Sequence, residues 1–359
     1  MKRIQVYILI GCILLTVLIF AALIIQSPMT DAIPRQPFER RFNTNVVVEK
    51  IGEIDLEVNS FYIAGATDHT IYLGSRSGPY HLVEISIPKL DTLHANVEIK
   101  GIEIPDDYRA FRLQVDSPFF YLYHGQMPGV FKGRLDARQA TSFLPVNSPY
   151  FVTATTLSEN LFALKSYSLV TKTDELAILK AREPYFEFHP ELLEKQVDGI
   201  FCVSGALLFD KFLNRVLYVY AYRNEYLVMD TSMTLINRYH TIDTFSRASI
   251  KVVNVTSKNY RTLASPPANT SLESFVHNGL LCIQSPLLAK NEDVAKFRQN
   301  SVIDTYDIAS GKYLYSFYLN NAENRRAASL EMNRNYIAAI YDNRLIIYRH
   351  NIRFLDSRK

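Results

Sequence analysis

Tryptophan is absent from the 359 residues, and cysteine is scarce at three. No Cys-x-x-Cys occurs, so no thioredoxin-like redox site is encoded. The eight histidines, at positions 69, 81, 94, 124, 189, 240, 277 and 350, are dispersed. No H-E-x-x-H or close-spaced zinc pattern appears, so a metal would need ligands converging from distant segments. Neither a Walker loop nor G-x-G-x-x-G is present, and Ser204-Gly205 lacks the first glycine of a nucleophile elbow. Acidic pairs such as Asp106-Asp107, or Asp304 with Asp307, lack a surrounding calcium-loop pattern. Excess charge is missing too. Of the net +3, Lys2 and Arg3 supply two, and the +1 left is too balanced for a nucleic-acid binder. The sequence encodes no visible reaction and implies no cofactor.

One long apolar run is present. Ile4 to Ile25, IQVYILIGCILLTVLIFAALII, carries no charge. As a helix it spans roughly 33 Å, enough for a hydrocarbon core of about 30 Å. Lys2 and Arg3 flank its short side, so the positive-inside bias keeps the amino end cytoplasmic and places everything from about Gln26 outside. The expected arrangement is a single-pass protein of the cytoplasmic (inner) membrane with a periplasmic or extracytoplasmic body. Two rivals are a cleaved signal peptide and lipidation at Cys12, which follows Leu9-Ile10-Gly11. The run is long for a signal, IIQSPMTDA is a poor cleavage pattern, and Cys12 sits mid-run. Residues 1–26 are therefore read as cytoplasmic tip and anchor. Residues 27–45, rich in Pro and charge, are read as a stalk, with Glu39-Arg40-Arg41 as solvated linker rather than lipid contact.

From Val46 onward, short runs rich in Tyr (23 in the chain) and Phe (21) alternate with turn residues, an all-β pattern. They fall into groups of three or four, recurring about every 40–50 residues, the period of propeller blades. Phe61 to Ile104, Phe111 to Val146 and Tyr150 to Lys180 make the first three groups. Gly199 to Tyr239, Ile250 to Leu319 and Ala327 to His350 make the rest. The expected fold over 46–359 is a six-bladed β-propeller, with seven blades possible because the fifth group is long. Its excess, chiefly Ser285 to Gln299, reads as an insertion. In Val302 to Leu319 an Ala-Ser-Gly-Lys turn joins two strands, and Asp230 in Tyr226 to Tyr239 stands where Asp307 does. Pro190 to Gln196 reads as one short helix. The last group has only three strands, so Val46 to Lys50 is expected to supply the fourth and close the ring.

Four charged residues near expected innermost-strand starts, Arg109, Asp198, Lys251 and Arg326, are candidates for a channel-mouth site taking a peptide or polar small molecule. Read without a ligand, they are solvated mouth residues. Cys202 and Cys282, in different blades, are read as buried free thiols. Asn254-Val255-Thr256 and Asn269-Thr270-Ser271 fit glycosylation sequons.

Through NSFYIAG (Asn59 to Gly65), IYLG (Ile71 to Gly74), QVDGIF (Gln196 to Phe201) and SVIDTYDI (Ser301 to Ile308), the chain resembles uncharacterised membrane-anchored propellers of the Bacteroidetes group. They are similar to the six-bladed TolB-like class. The resemblance implies an envelope-assembly or thiol-redox accessory role and supplies no catalytic residue. The expected function is a non-catalytic scaffold presenting a rigid face to an envelope protein. Alternatives are an extracytoplasmic hydrolase or lactonase using metal ligands from several blades, and a redox accessory.

Overall fold

The computed structural model describes residues 3–26, 33–101, 111–125, 129–143, 149–255, 260–322 and 325–353. It separates into two units, Met1–Arg35 and Gln36–Lys359. The first holds helix α1, Arg3–Gln26, where the Thr16 hydroxyl donates to the Cys12 carbonyl at 2.8 Å and so satisfies itself within the helix. Side chains of α1 are described from Tyr7 to Ala22, together with Gln5. Among the described residues no helix is long and apolar enough to cross a membrane.

The second unit is a six-bladed β-propeller. Blade 1 comprises Phe61–Ala66, Thr70–Ser75, His81–Ser86 and Thr92–Asn96. Blade 2 comprises Phe111–Asp116, Phe119–His124, Gly129–Arg134 and Gln139–Ser142, extended by Glu98–Lys100 parallel to its outer strand. Blade 3 runs Phe151–Ser158, Leu161–Ser168, Thr173–Lys180 and Phe186–His189, and blade 4 Gly205–Asp210, Arg215–Tyr220, Glu225–Met229 and Leu235–His240. Blade 5 is Ser274–His277, Leu280–Ser285, Asn300–Asp307 and Tyr313–Asn320. Blade 6 is Ser329–Met332, Tyr336–Tyr341 and Arg344–His350, and its fourth strand is Val48–Asp55, antiparallel to Arg344–His350.

No single core holds this ring. Six apolar clusters fill the six seams between neighbouring blades. The period-2 alternation of a strand deals its side chains to two seams at once. In blade 3, Phe162 and Leu164 face blade 2 while Ala163 faces blade 4. In blade 4, Val216, Tyr218 and Tyr220 face blade 3, and Leu217 and Val219 face blade 5. Middle strands covered on both sides therefore read as unbroken apolar runs, whereas the outer strand Leu235–His240 is largely exposed.

Turn chemistry accounts for the blade 4 and 5 hairpins. The Asp307 carboxylate accepts from the backbone N–H groups of Ala309 and Ser310 at 2.8 and 3.0 Å. Asp230 does the same for Ser232 and Thr234, both at 2.9 Å. Gly311 has φ of +71°, and a Cβ there would lie 2.0 Å from the Tyr239 ring, so both backbone and packing require glycine. Its blade 4 counterpart, Met233, takes a left-handed φ of +60° and is buried.

Several expectations need correction. Gly199–Val203 is a turn, and the strand begins at Gly205. Asp198 organises that turn by accepting the N–H groups of Ile200, Phe201 and Cys202. Pro190 to Gln196 forms turns, not a helix. The long fifth group is not a seventh blade: its first part is a hairpin, Val252–Val255 with Tyr260–Leu263, and blade 5 begins at Ser274. The insertion between the second and third strands of blade 5 carries helix α2, Val294–Gln299, capped by Asp293.

The solvated-linker reading fails at Arg40, which is 3% exposed. Its guanidinium forks onto Asp304, with Nε and Nη2 at 2.8 and 3.0 Å from the two carboxylate oxygens, and Nη1 lies 2.6 Å from Glu292. Nη1 also donates to the Leu287 carbonyl, while the Asn291 side chain pairs with both the backbone N–H and the carbonyl of Arg40. Burial alone would lower the Arg40 pKa, but the two carboxylates outweigh it and the value is raised. Beside it, Phe42 stacks on Tyr318 with centroids 4.5 Å apart. Residues 38–42 are thus clasped onto blade 5.

Candidate functional site

The innermost strands enclose a central cavity of about 510 Å3 to which all six blades contribute. Alternation decides what faces it. In Phe111–Asp116 the buried Phe111, Leu113 and Val115 pack into blade seams, leaving Arg112, Gln114 and Asp116 toward the cavity. In Ser329–Met332, Leu330 and Met332 turn into the blade and Glu331 lines the cavity. Glu273, one residue before the inner strand of blade 5, lines it as well.

Most of the polar wall is internally satisfied. Lys211 pairs with Asp116. The Gln114 side-chain oxygen accepts from the Tyr123 hydroxyl at 3.0 Å and from the Thr156 N–H and hydroxyl at 3.2 Å, binding blade 2 to blade 3. The Leu113 N–H donates to the Tyr62 hydroxyl at 2.7 Å, and the Arg76 guanidinium lies over the Tyr62 ring. Arg112 Nη1 donates to the Phe111 carbonyl at 2.8 Å. The two glutamates stand apart from this pattern. Burial pushes the Glu331 carboxyl up to about 7, only partly opposed by the Met332 N–H and Lys211. Burial likewise raises Glu273 to about 7, against the pull of Arg76.

Of the four residues named from the sequence, Asp198, Lys251 and Arg326 are not among those lining this cavity. Arg109 lies outside the described residues. Asp198 caps a turn, and its hydrogen bonds hold its pKa below the usual carboxylate value despite burial. Lys251 is exposed at the base of the extra hairpin. Arg326 leans on α2, its guanidinium 4.5 Å from the Phe297 centroid and donating to the Ser285 carbonyl at 3.2 Å. Of the two cavity glutamates that the sequence reading passed over, Glu331 was signalled by its charge within the inner strand SLEM, and Glu273 stands immediately before the inner strand SFVH.

Cys202 and Cys282 are buried and free, and burial pushes the Cys282 thiol up to about 12. Among the described residues no group of three His, Cys, Asp or Glu is placed to hold a metal ion.

Fold and cavity together define the class: an all-β, six-bladed β-propeller with a polar central cavity. No protein-family model matches the chain, and neither does any curated protein. Among solved structures it is similar to a member of the DUF4221 family from Bacteroides vulgatus, with 10% identity and a TM-score of 0.50 over 90% of this chain and 100% of that one. It is also similar to a streptogramin B lyase structure, at 9% identity and a TM-score of 0.48 over 85% and 98% of the two chains. The first likeness shows the fold alone, and the second carries no argument about chemistry.

Proposed function

We propose that this chain is a membrane-tethered binding propeller whose central cavity receives a polar ligand and whose rigid body is presented to a protein partner in the cell envelope. The observation that carries it is a central cavity to which every blade contributes, sized for a small molecule and walled in part by polar groups. The tether rests on the 22 uncharged residues from Ile4 to Ile25, and the orientation on Lys2 and Arg3. The expected location is the inner membrane with the propeller outside the cytoplasm, as the resemblance to anchored TolB-like propellers also implies. Mild crosslinking in intact cells, followed by detergent extraction and affinity capture of the full chain, should recover one partner in stoichiometric yield. A chain that washes from membranes with alkaline carbonate would overturn the tether, and repeated capture without a partner would overturn the scaffold.

A second reading has one observation in its favour. Two carboxyls held near 7 in one cavity suit general acid–base work, as a hydrolase would need. Turnover of ester or lactone substrates that is lost in both Glu273→Gln and Glu331→Gln would establish it.

A further inference from the structure

The geometry points to a small organic cation, carrying one or more ammonium groups, as the occupant of the central cavity, gripped by Glu273 and Glu331. This rests on the reading of the cavity as a binding site and narrows it to one ligand chemistry.

Five charged residues line the cavity among those described: Arg112, Asp116, Lys211, Glu273 and Glu331. Lys211 and Asp116 satisfy one another, and Arg112 is already donating to the Phe111 carbonyl. Neither glutamate has an ion-pair partner among the described residues; Glu331 has only the Met332 N–H. An incoming anion would meet two carboxyls, with Lys211 paired to Asp116 and Arg112 as the one cation of the described wall outside an ion pair with another wall residue. An incoming ammonium would meet two carboxyls that no ion pair among the described residues neutralises, and its hydrogen bonds to them would be charge-assisted. Tyr62, Phe209 and Phe275 add aromatic surface to the wall, which an alkylammonium accepts readily. The volume, about 510 Å3, lies inside the usual range of about 300–1,000 Å3 for small-ligand sites.

Such a ligand couples to protons. With both carboxyls raised to about 7, the empty cavity holds them partly protonated at neutral pH, and a bound ammonium favours the ionised form. Affinity should therefore rise with pH. The other charged groups on the cavity wall are Lys211, Asp116 and Arg112; of the cations, Arg76 acts on Glu273 and Lys211 on Glu331.

The test is calorimetric titration of the full chain in detergent with cadaverine, spermidine and, as the opposite charge, glutarate. The expected result is saturable binding of at least one amine at pH 8, tenfold or more weaker at pH 6, with glutarate silent. Glu273→Gln and Glu331→Gln should each weaken the amine by tenfold or more. Both variants should melt no lower than the parent at pH 8, which shows that they fold. Amine binding unchanged in both variants, or no amine binding at either pH, would overturn the assignment. Saturable binding of glutarate instead would also overturn the cation, while leaving the cavity's role as a binding site intact.

Discussion

Arg40, fully buried, and the two cavity glutamates, only half-buried, are charges that the protein treats in opposite ways. Arg40 meets a bidentate carboxylate, a second carboxylate and a backbone carbonyl, so nearly every donor of its fork is used. Glu273 and Glu331 have no ion-pair partner among the described residues, and the pull of Arg76 and Lys211 does not offset the rise that desolvation imposes on them. A charge whose surroundings are completed by the chain itself is structural. One whose surroundings are left incomplete inside a cavity is available to something from outside.

Substitution at either place probes the contrast, and the largest effect belongs to the clasp. Arg40→Ala leaves Asp304 and Glu292 buried without their cation and should cost about 3–5 kcal/mol in a chemical denaturation curve. A loss below about 1 kcal/mol would mean the clasp is no more than a surface ion pair. Glu331→Gln should move stability the other way, by about 1–3 kcal/mol at pH 8.5, because the native state no longer has to ionise a buried carboxyl. The sign follows from linkage: a carboxyl raised from 4.5 to about 7 contributes most below pH 4.5, and that contribution is lost as pH climbs through 7. At pH 4 the variant and parent should therefore melt alike.

His277 runs with the opposite sign. Burial and neighbouring His350 push it down to about 4, against Asp68, so its contribution is present above about 6.5 and lost as pH falls toward 4. His277→Gln should flatten the decline of melting temperature between pH 6 and 4. The smallest effect is expected at the stack beside the clasp. Phe42→Leu keeps apolar bulk but removes the ring pairing with Tyr318, for about 1 kcal/mol or less by thermal melting.

The blades were legible because inner strands such as FRLQVD alternate, while middle strands such as LFALKS and RVLYVY, covered on both sides, read as short unbroken apolar runs. Strand starts were less legible. Cys202 and Val203 are as apolar as any strand residues, yet they pack into the blade 3–4 seam from a turn, and nothing in FCVSG distinguishes the two. That offset displaced the candidate site: Asp198 precedes a turn, Lys251 precedes the extra hairpin rather than an inner strand of a blade, and Arg326 leans on α2. The role of Arg40 was not legible either, since its partners lie 252 and 264 positions away and ERR reads as an ordinary charged linker.

The pairing of Val48–Asp55 with Arg344–His350 also has a consequence for the order of assembly. During synthesis the first strand of the propeller emerges long before its neighbour exists, and nearly 300 residues must follow before that edge is covered. A nascent chain has to keep it from pairing with the wrong strand throughout that interval. Truncation within Arg344–His350 would therefore release the start of the body as well as its finish.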